Sequence, residues 1–318
     1  MESRCANCAT HQALPSRAWS WTMRARSSTS IRKRISRALG AGPPARRGLC
    51  RGSETGSMTP PVLKPEYEAL VSAWAELADS GIVRLSSLPA GEEELLHAVI
   101  ERPGAPLVAI SAGVHGDEPA GPSALLQVVR EGLPEEFSYA LWPCTNPAGY
   151  RMGTRRNGGG RDINRSYGGE MTAESRAVAD SWPSRTPILA LDLHEDPETT
   201  AFYCYERIAV GEHRAADLVE RLESAGIPIQ HDLREVDLGL SSEEAGRLGL
   251  WRLERGWVRS LGHDPGAIIG GSPYSVWAAS HGVPHSFTFE SPGLGAWETR
   301  VGALVLAVRT ALHFTSRE

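Results

Sequence analysis

No apolar run in this chain approaches the roughly 18 to 20 residues that a membrane-crossing helix needs, so no membrane partner is expected. Cysteine is scarce too. There are five in 318 residues: Cys5, Cys8 and Cys50 near the start, then only Cys144 and Cys204. That is no disulfide framework, and it suits a reducing compartment, the cytoplasm. Cys5 and Cys8 form a lone CxxC with no second pair at zinc-finger spacing, which argues against a structural metal there. Internal repeats are absent, and Lys and Arg do not cluster after residue 57. The net charge of -5 conceals two unlike parts. Residues 1–57 carry eleven basic side chains against two acidic ones, and the remainder 22 against 36. A body this acidic lacks the field that phosphate binding requires, so no nucleic-acid partner is expected.

The head, residues 1–57, is rich in Arg, Ser and Gly and shows no sustained period. Its apolar stretches are too short for a secretory signal. An organellar transit peptide has this composition, but a disordered extension, or sequence upstream of a start at Met58, is the simpler reading. Residues 58–318 are expected to form one domain. Regular patterns begin at Pro65. Glu66 to Ser80 reads as a helix stopped by Gly81, and Ile82 to Leu85 and Glu94 to Ile100 as short strands. Pro106 to Val114 and Ile188 to Leu193 are apolar runs of the kind buried on both faces of a sheet. Helices are expected over Ala120 to Arg130, Glu212 to Ala225 and Trp297 to His313, and further strands over Phe137 to Trp142, Ala201 to Tyr205 and Ser286 to Phe289. Strands alternating with helices imply an α/β domain with a mixed, largely parallel central sheet flanked by helices.

Val108 to Glu118 reads VAISAGVHGDE, a buried strand, a turn, then His115 and Glu118 three residues apart. In open α/β sheets, sites form beyond the carboxyl ends of strands. A second buried strand, LALDLHE from Leu189 to Glu195, delivers His194 in the same way. Two imidazoles and a carboxylate are a zinc ligand set with room for a fourth, labile position. Singly these elements are weak, because His-x-x-Glu arises by chance and a histidine after a strand is more often a satisfied polar group. Between the two strands, Asn146 to Tyr167 is polar, glycine-rich and loaded with Arg, a poor core segment but a good loop over a cleft. Its guanidinium forks suit a carboxylate or an oxyanion. Near the end, HSFTFESPG sets Glu290 at a strand end, where a carboxylate beside an activated water would serve as general base. A plain surface acid is the alternative.

HGDE, DINR, DLH and FTFE, in this order, resemble the zinc carboxypeptidase family and its relatives, the succinylglutamate desuccinylases and aspartoacylases. The resemblance runs from about Val108 to Pro292. It implies a zinc carboxypeptidase-like fold and one zinc ion on His115, Glu118 and His194. It further implies that Asn164 and Arg165 hold a substrate carboxylate, that Glu290 is the base and acid, and that Asp162 orients His115 from behind. Arg155, rather than Arg156, matches the arginine that polarises the scissile carbonyl. Two departures stand out. DPGAII occupies the place where the pancreatic type carries a substrate-capping tyrosine, and Tyr274, which follows the GGS turn, is not assigned that role. The interval from Glu118 to His194 is short, as in the deacylase branch. The reading is a metallocarboxypeptidase acting on a peptide or peptide-like amide. A deacylase of N-acyl amino acids and a catalytically silent binding protein of the same fold are the rivals.

Overall fold

The computed structural model describes residues 64–209, 211–231, 250–260 and 271–316. The basic head and the DPGAII segment lie outside them. The first helix, α1 (Tyr67–Asp79), turns Tyr67, Leu70, Val71, Trp74 and Leu77 inward. It closes with Gly81 at φ 77° and with the amides of Ile82 and Val83 on the Leu77 carbonyl. Those bonds commit Ile82 and Val83 to the helix cap, so the first strand begins two residues later than its apolar start suggests. A hairpin follows, β1 (Arg84–Ala90) and β2 (Glu93–Ile100), then β3 (Leu107–Ala112), α2 (Ala120–Glu131) and β4 (Ser138–Trp142).

The arginine-rich segment is not all loop. It contains α3 (Pro147–Met152), capped by the Asn146 side chain, which accepts from the Gly149 amide, and closed by left-handed Gly153. A single 3-10 turn follows at Ile163–Arg165, and then α4 (Ala173–Asp180). The chain continues through β5 (Leu189–Asp196), β6 (Tyr203–Ile208), α5 (Ala215–Ser224), β7 (Leu250–Glu254), β8 (Trp257–Ser260), α6 (Tyr274–Ser280), β9 (His285–Pro292) and α7 (Trp297–Thr315).

Among the described residues, nine strands form one sheet in the order β1-β2-β4-β3-β5-β9-β6-β8-β7. Its centre is parallel: β3 pairs β4 and β5, and β5 pairs β9, all in parallel. The flanks are mixed. Alternate residues of the central strands face two different layers. Val108, Ile110, Leu191, Leu193, Phe287 and Phe289 pack with α1, α2, α5 and α7. Ala109 and Ala190 face α4 and α6 with Tyr167, Tyr274 and Trp277. Burial on both faces explains why these strands read as unbroken apolar runs. Their parallel carboxyl ends open on one edge, and the candidate site lies there.

Candidate metal centre

β3 ends at Ala112, and the chain turns sharply so that His115 and Glu118 face back over the sheet. Gly116 makes the turn possible. A Cβ there would stand 1.9 Å from the Gly149 carbonyl carbon and 2.2 Å from the Tyr150 nitrogen, and its amide donates to the Thr154 carbonyl at 3.0 Å. Backbone lies against backbone, so no side chain fits.

His115, Glu118 and His194 are all buried, and one ligand atom from each lies within 4.8 Å of the others. The Glu118 carboxylate stands between the rings, with Oε1 2.5 Å from His115 Nδ1 and Oε2 2.8 Å from His194 Nδ1. The Glu195 amide also donates to Oε2, at 3.2 Å. Each ring's other nitrogen meets a carboxylate: His115 Nε2 lies 3.3 Å from Asp162 Oδ1, and His194 Nε2 lies 2.9 Å from Asp192 Oδ2. Both nitrogens of each ring thus face a carboxylate; were a metal to displace the Nδ1 protons, the Nε2–H bonds would remain and leave both Nδ1 lone pairs aimed at one point. Three donors of this chemistry, converging and fixed from behind, fit a zinc ion. Burial works against the charge on Glu118, yet His115 and then His194 hold its carboxyl far below the ordinary range. For His194, burial is outweighed by Asp192, Glu118 and Glu290, which raise it. A metal must displace that proton.

Arg155 reaches the same centre. Its Nε and Nη2 contact Asp162 Oδ2 at 3.2 and 3.1 Å, and Nη1 comes within 3.6 Å of Glu118 Oε1. Arg156 turns away to the Gly160 carbonyl. Asp162 also caps the 3-10 turn, accepting from the Asn164 amide at 2.9 Å. Burial opposes its charge, but the bond and charge of His115, with Arg155 and Arg165, keep it depressed. Asn164 Oδ1 accepts from the Tyr274 amide at 2.9 Å. That bond fixes which end of the amide is which, so the donor end, Nδ2, faces the site 3.5 Å from His194 Nε2. Arg165 bonds the Asn164 carbonyl through Nη1 at 3.1 Å, and its charge bears on Asp162 and Tyr205.

Glu290 lies in register with His194 on β5 and with Tyr203 on β6. Both Glu290 and His194 sit two residues inside their strands rather than at the last residue. Burial pushes the Glu290 carboxyl up. His194 opposes that, and Glu118, Asp196 and Asp192 add to it. Tyr274 is fully buried. The sequence reading missed Asp192, although strand alternation in LALDLHE puts it on the His194 side two residues earlier.

The fold and the site together define a zinc carboxypeptidase-like architecture. Residues 105–262 match the model of the succinylglutamate desuccinylase/aspartoacylase catalytic domain. Every anticipated site residue except Glu290 falls inside the matched stretch. No curated protein matches the chain. Among solved structures, a protein provisionally named a metallopeptidase, from Shewanella denitrificans, is similar at 21% identity with a TM-score of 0.63, over 78% of this chain and 89% of that one. A metallo-carboxypeptidase from Burkholderia cenocepacia is similar at 14% identity and TM-score 0.56, over 79% and 68%. Bovine thrombin-activatable fibrinolysis inhibitor, solved with a tick carboxypeptidase inhibitor, gives 15% and 0.56, over 79% and 95%.

Proposed function

We propose that this chain is a zinc-dependent metallocarboxypeptidase that hydrolyses an amide bond next to a free carboxylate. The observation that carries the reading is the convergence of His115 Nδ1, Glu118 and His194 Nδ1, with Glu290 on the strand beside His194. One zinc ion on those three side chains would supply Lewis-acid chemistry, making a water acidic near neutral pH and drawing charge from a carbonyl. The residues do the rest. Asn164 Nδ2 and the Arg165 guanidinium hold the substrate carboxylate, the one as a neutral donor and the other as a charged fork. Arg155 faces the carbonyl oxygen and stabilises the charge that develops there. Glu290, raised by burial, takes a proton from the attacking water and returns it to the leaving amine. Asp162 keeps both His115 and Arg155 aimed.

A second reading, release of an amino acid from an N-acyl derivative, is favoured by the match to the desuccinylase and aspartoacylase domain. Both readings use the same residues and release an amine that carries a free carboxylate; they differ in whether the acyl side is a peptide or a small acyl group. The cytoplasm is the proposed compartment, since Cys144 and Cys204 are unpaired. No described helix is long and apolar enough to cross a membrane. The deciding experiment loads the protein with zinc, measures the metal content, and assays free-carboxylate peptides beside N-acyl amino acids. Turnover of peptides supports the first reading and turnover of acyl amino acids alone the second. Stoichiometric zinc with no hydrolysis of either would leave a binding protein.

A further inference from the structure

Arg155 and Asp162 meet guanidinium to carboxylate at 3.1 Å. Along the chain they are joined by Arg156, Asn157, three consecutive glycines and Arg161, with no helix or strand between them. Glycine has the most conformational freedom to lose on ordering, so such a turn needs something to hold it. Asn157 does this. Its Oδ1 accepts from the Gly159 amide at 3.1 Å and from the Arg161 amide at 2.9 Å. Its own amide donates to the Arg161 carbonyl at 2.9 Å, and its carbonyl accepts from the Gly160 amide at 2.8 Å. The turn closes around one side chain.

That closure requires the Asn157 side-chain amide to face one way, and Glu174 in the first turn of α4 sets it. Asn157 Nδ2 donates to the two Glu174 oxygens at 3.1 and 3.0 Å. A carboxylate only accepts, so the donor end of Asn157 turns to Glu174 and the acceptor end is left for the turn. Glu174 is 5% exposed, and burying a carboxylate against a neutral amide is a cost that packing alone does not call for. Asp162 has other anchors, His115 Nε2 and the Asn164 amide. The backbone of Arg155 is held at its carbonyl by Asn146 Nδ2, at 3.2 Å, and beyond that point its course is set by the turn.

We propose that Asn157, locked by Glu174, is the positioning residue for Arg155. The lock sets the approach of the guanidinium to the metal centre without touching a metal ligand. This rests on the role given to Arg155 in the functional reading above.

The test measures zinc content, kcat and KM on the amide that the wild type hydrolyses. The variants are Asn157→Ala, Glu174→Ala, Glu174→Gln, Arg155→Ala and the double variant Asn157→Ala/Arg155→Ala. Asn157→Ala and Glu174→Ala are expected to lose about 10- to 100-fold in kcat, with KM within a few-fold and one zinc retained. Glu174→Gln keeps an acceptor oxygen and should recover most of that loss. Once Arg155 is gone, removing Asn157 should cost almost nothing more. Should Asn157→Ala fail to fold, the contrast between Glu174→Ala and Glu174→Gln carries the same test. Wild-type kcat in Asn157→Ala and Glu174→Ala overturns the inference, as does an undiminished further loss in the Arg155→Ala background; the functional reading survives either result. A zinc-loaded wild type that hydrolyses no amide overturns both.

Discussion

Glu290 feels the charge of Glu118, and the surroundings of the two carboxylates drive their proton affinities apart. Glu118 is pinned between two imidazoles and an amide, so its charge is matched on every side. Glu290 has burial and three other carboxylates pushing its carboxyl up, with His194 in opposition. The same side chain thus holds its proton weakly at position 118 and more readily at 290, the division that the proposed ligand and acid-base roles require. Glu290→Gln preserves the shape and removes the proton carrier. It should retain one zinc per chain by elemental analysis and lose about 10²- to 10⁴-fold in kcat; unchanged turnover would remove Glu290 from the chemistry. Gly116→Ala makes a second test at this scale. The added methyl would meet the Gly149 and Tyr150 backbone, so the HGDE turn must shift. Metal content after dialysis should fall sharply even where the rest of the fold survives.

Among the elements, β6, β9 and α5 are joined by one buried side chain. Glu206 on β6 accepts from His285 Nε2 at 2.8 Å and from the Arg214 amide at 2.7 Å through one oxygen. Through the other it accepts from His213 Nδ1 at 2.8 Å and the Ala215 amide at 3.2 Å. Burial opposes its charge, but the His285 bond, the Arg214 amide and His213 outweigh it, so its carboxyl is depressed. A depressed carboxyl adds stability above its unfolded value, and that stability is lost as pH falls through the folded value. Glu206→Gln should cost about 1–3 kcal/mol near neutral pH, read from urea midpoints, and the gap from wild type should narrow in acid.

Amphipathic α2, α5 and α7 were legible in the sequence because each carries a helical period, and buried β3 and β5 because each is an unbroken apolar run. α3, α4 and α6 were missed because they have six to eight residues, too few for a period to declare itself. Asn146, Pro147 and Gly153 did spell the cap signals of α3. The site was legible through its spacing motifs. Asp192 was hidden because, inside a strand, an orienting carboxylate looks like any other residue of the DLH run.

For the molecule as a whole, an ion that binds only the folded chain must stabilise it by mass action. At a free concentration one hundred times Kd the gain is about 2.7 kcal/mol. Zinc should therefore raise Tm and a chelator reverse the rise, while His194→Ala should melt at one temperature with or without the ion. A wild-type Tm indifferent to zinc would count against the ligand set.

β9 is the last strand in the chain, yet it lies between β5 and β6 in the interior of the sheet. On a ribosome, both strands would emerge long before the one that separates them, leaving the His194 strand with an open edge able to pair with other chains. A stalled product that stops short of residue 285 is expected to aggregate rather than form a smaller enzyme. Light scattering of such fragments beside the full chain would show it.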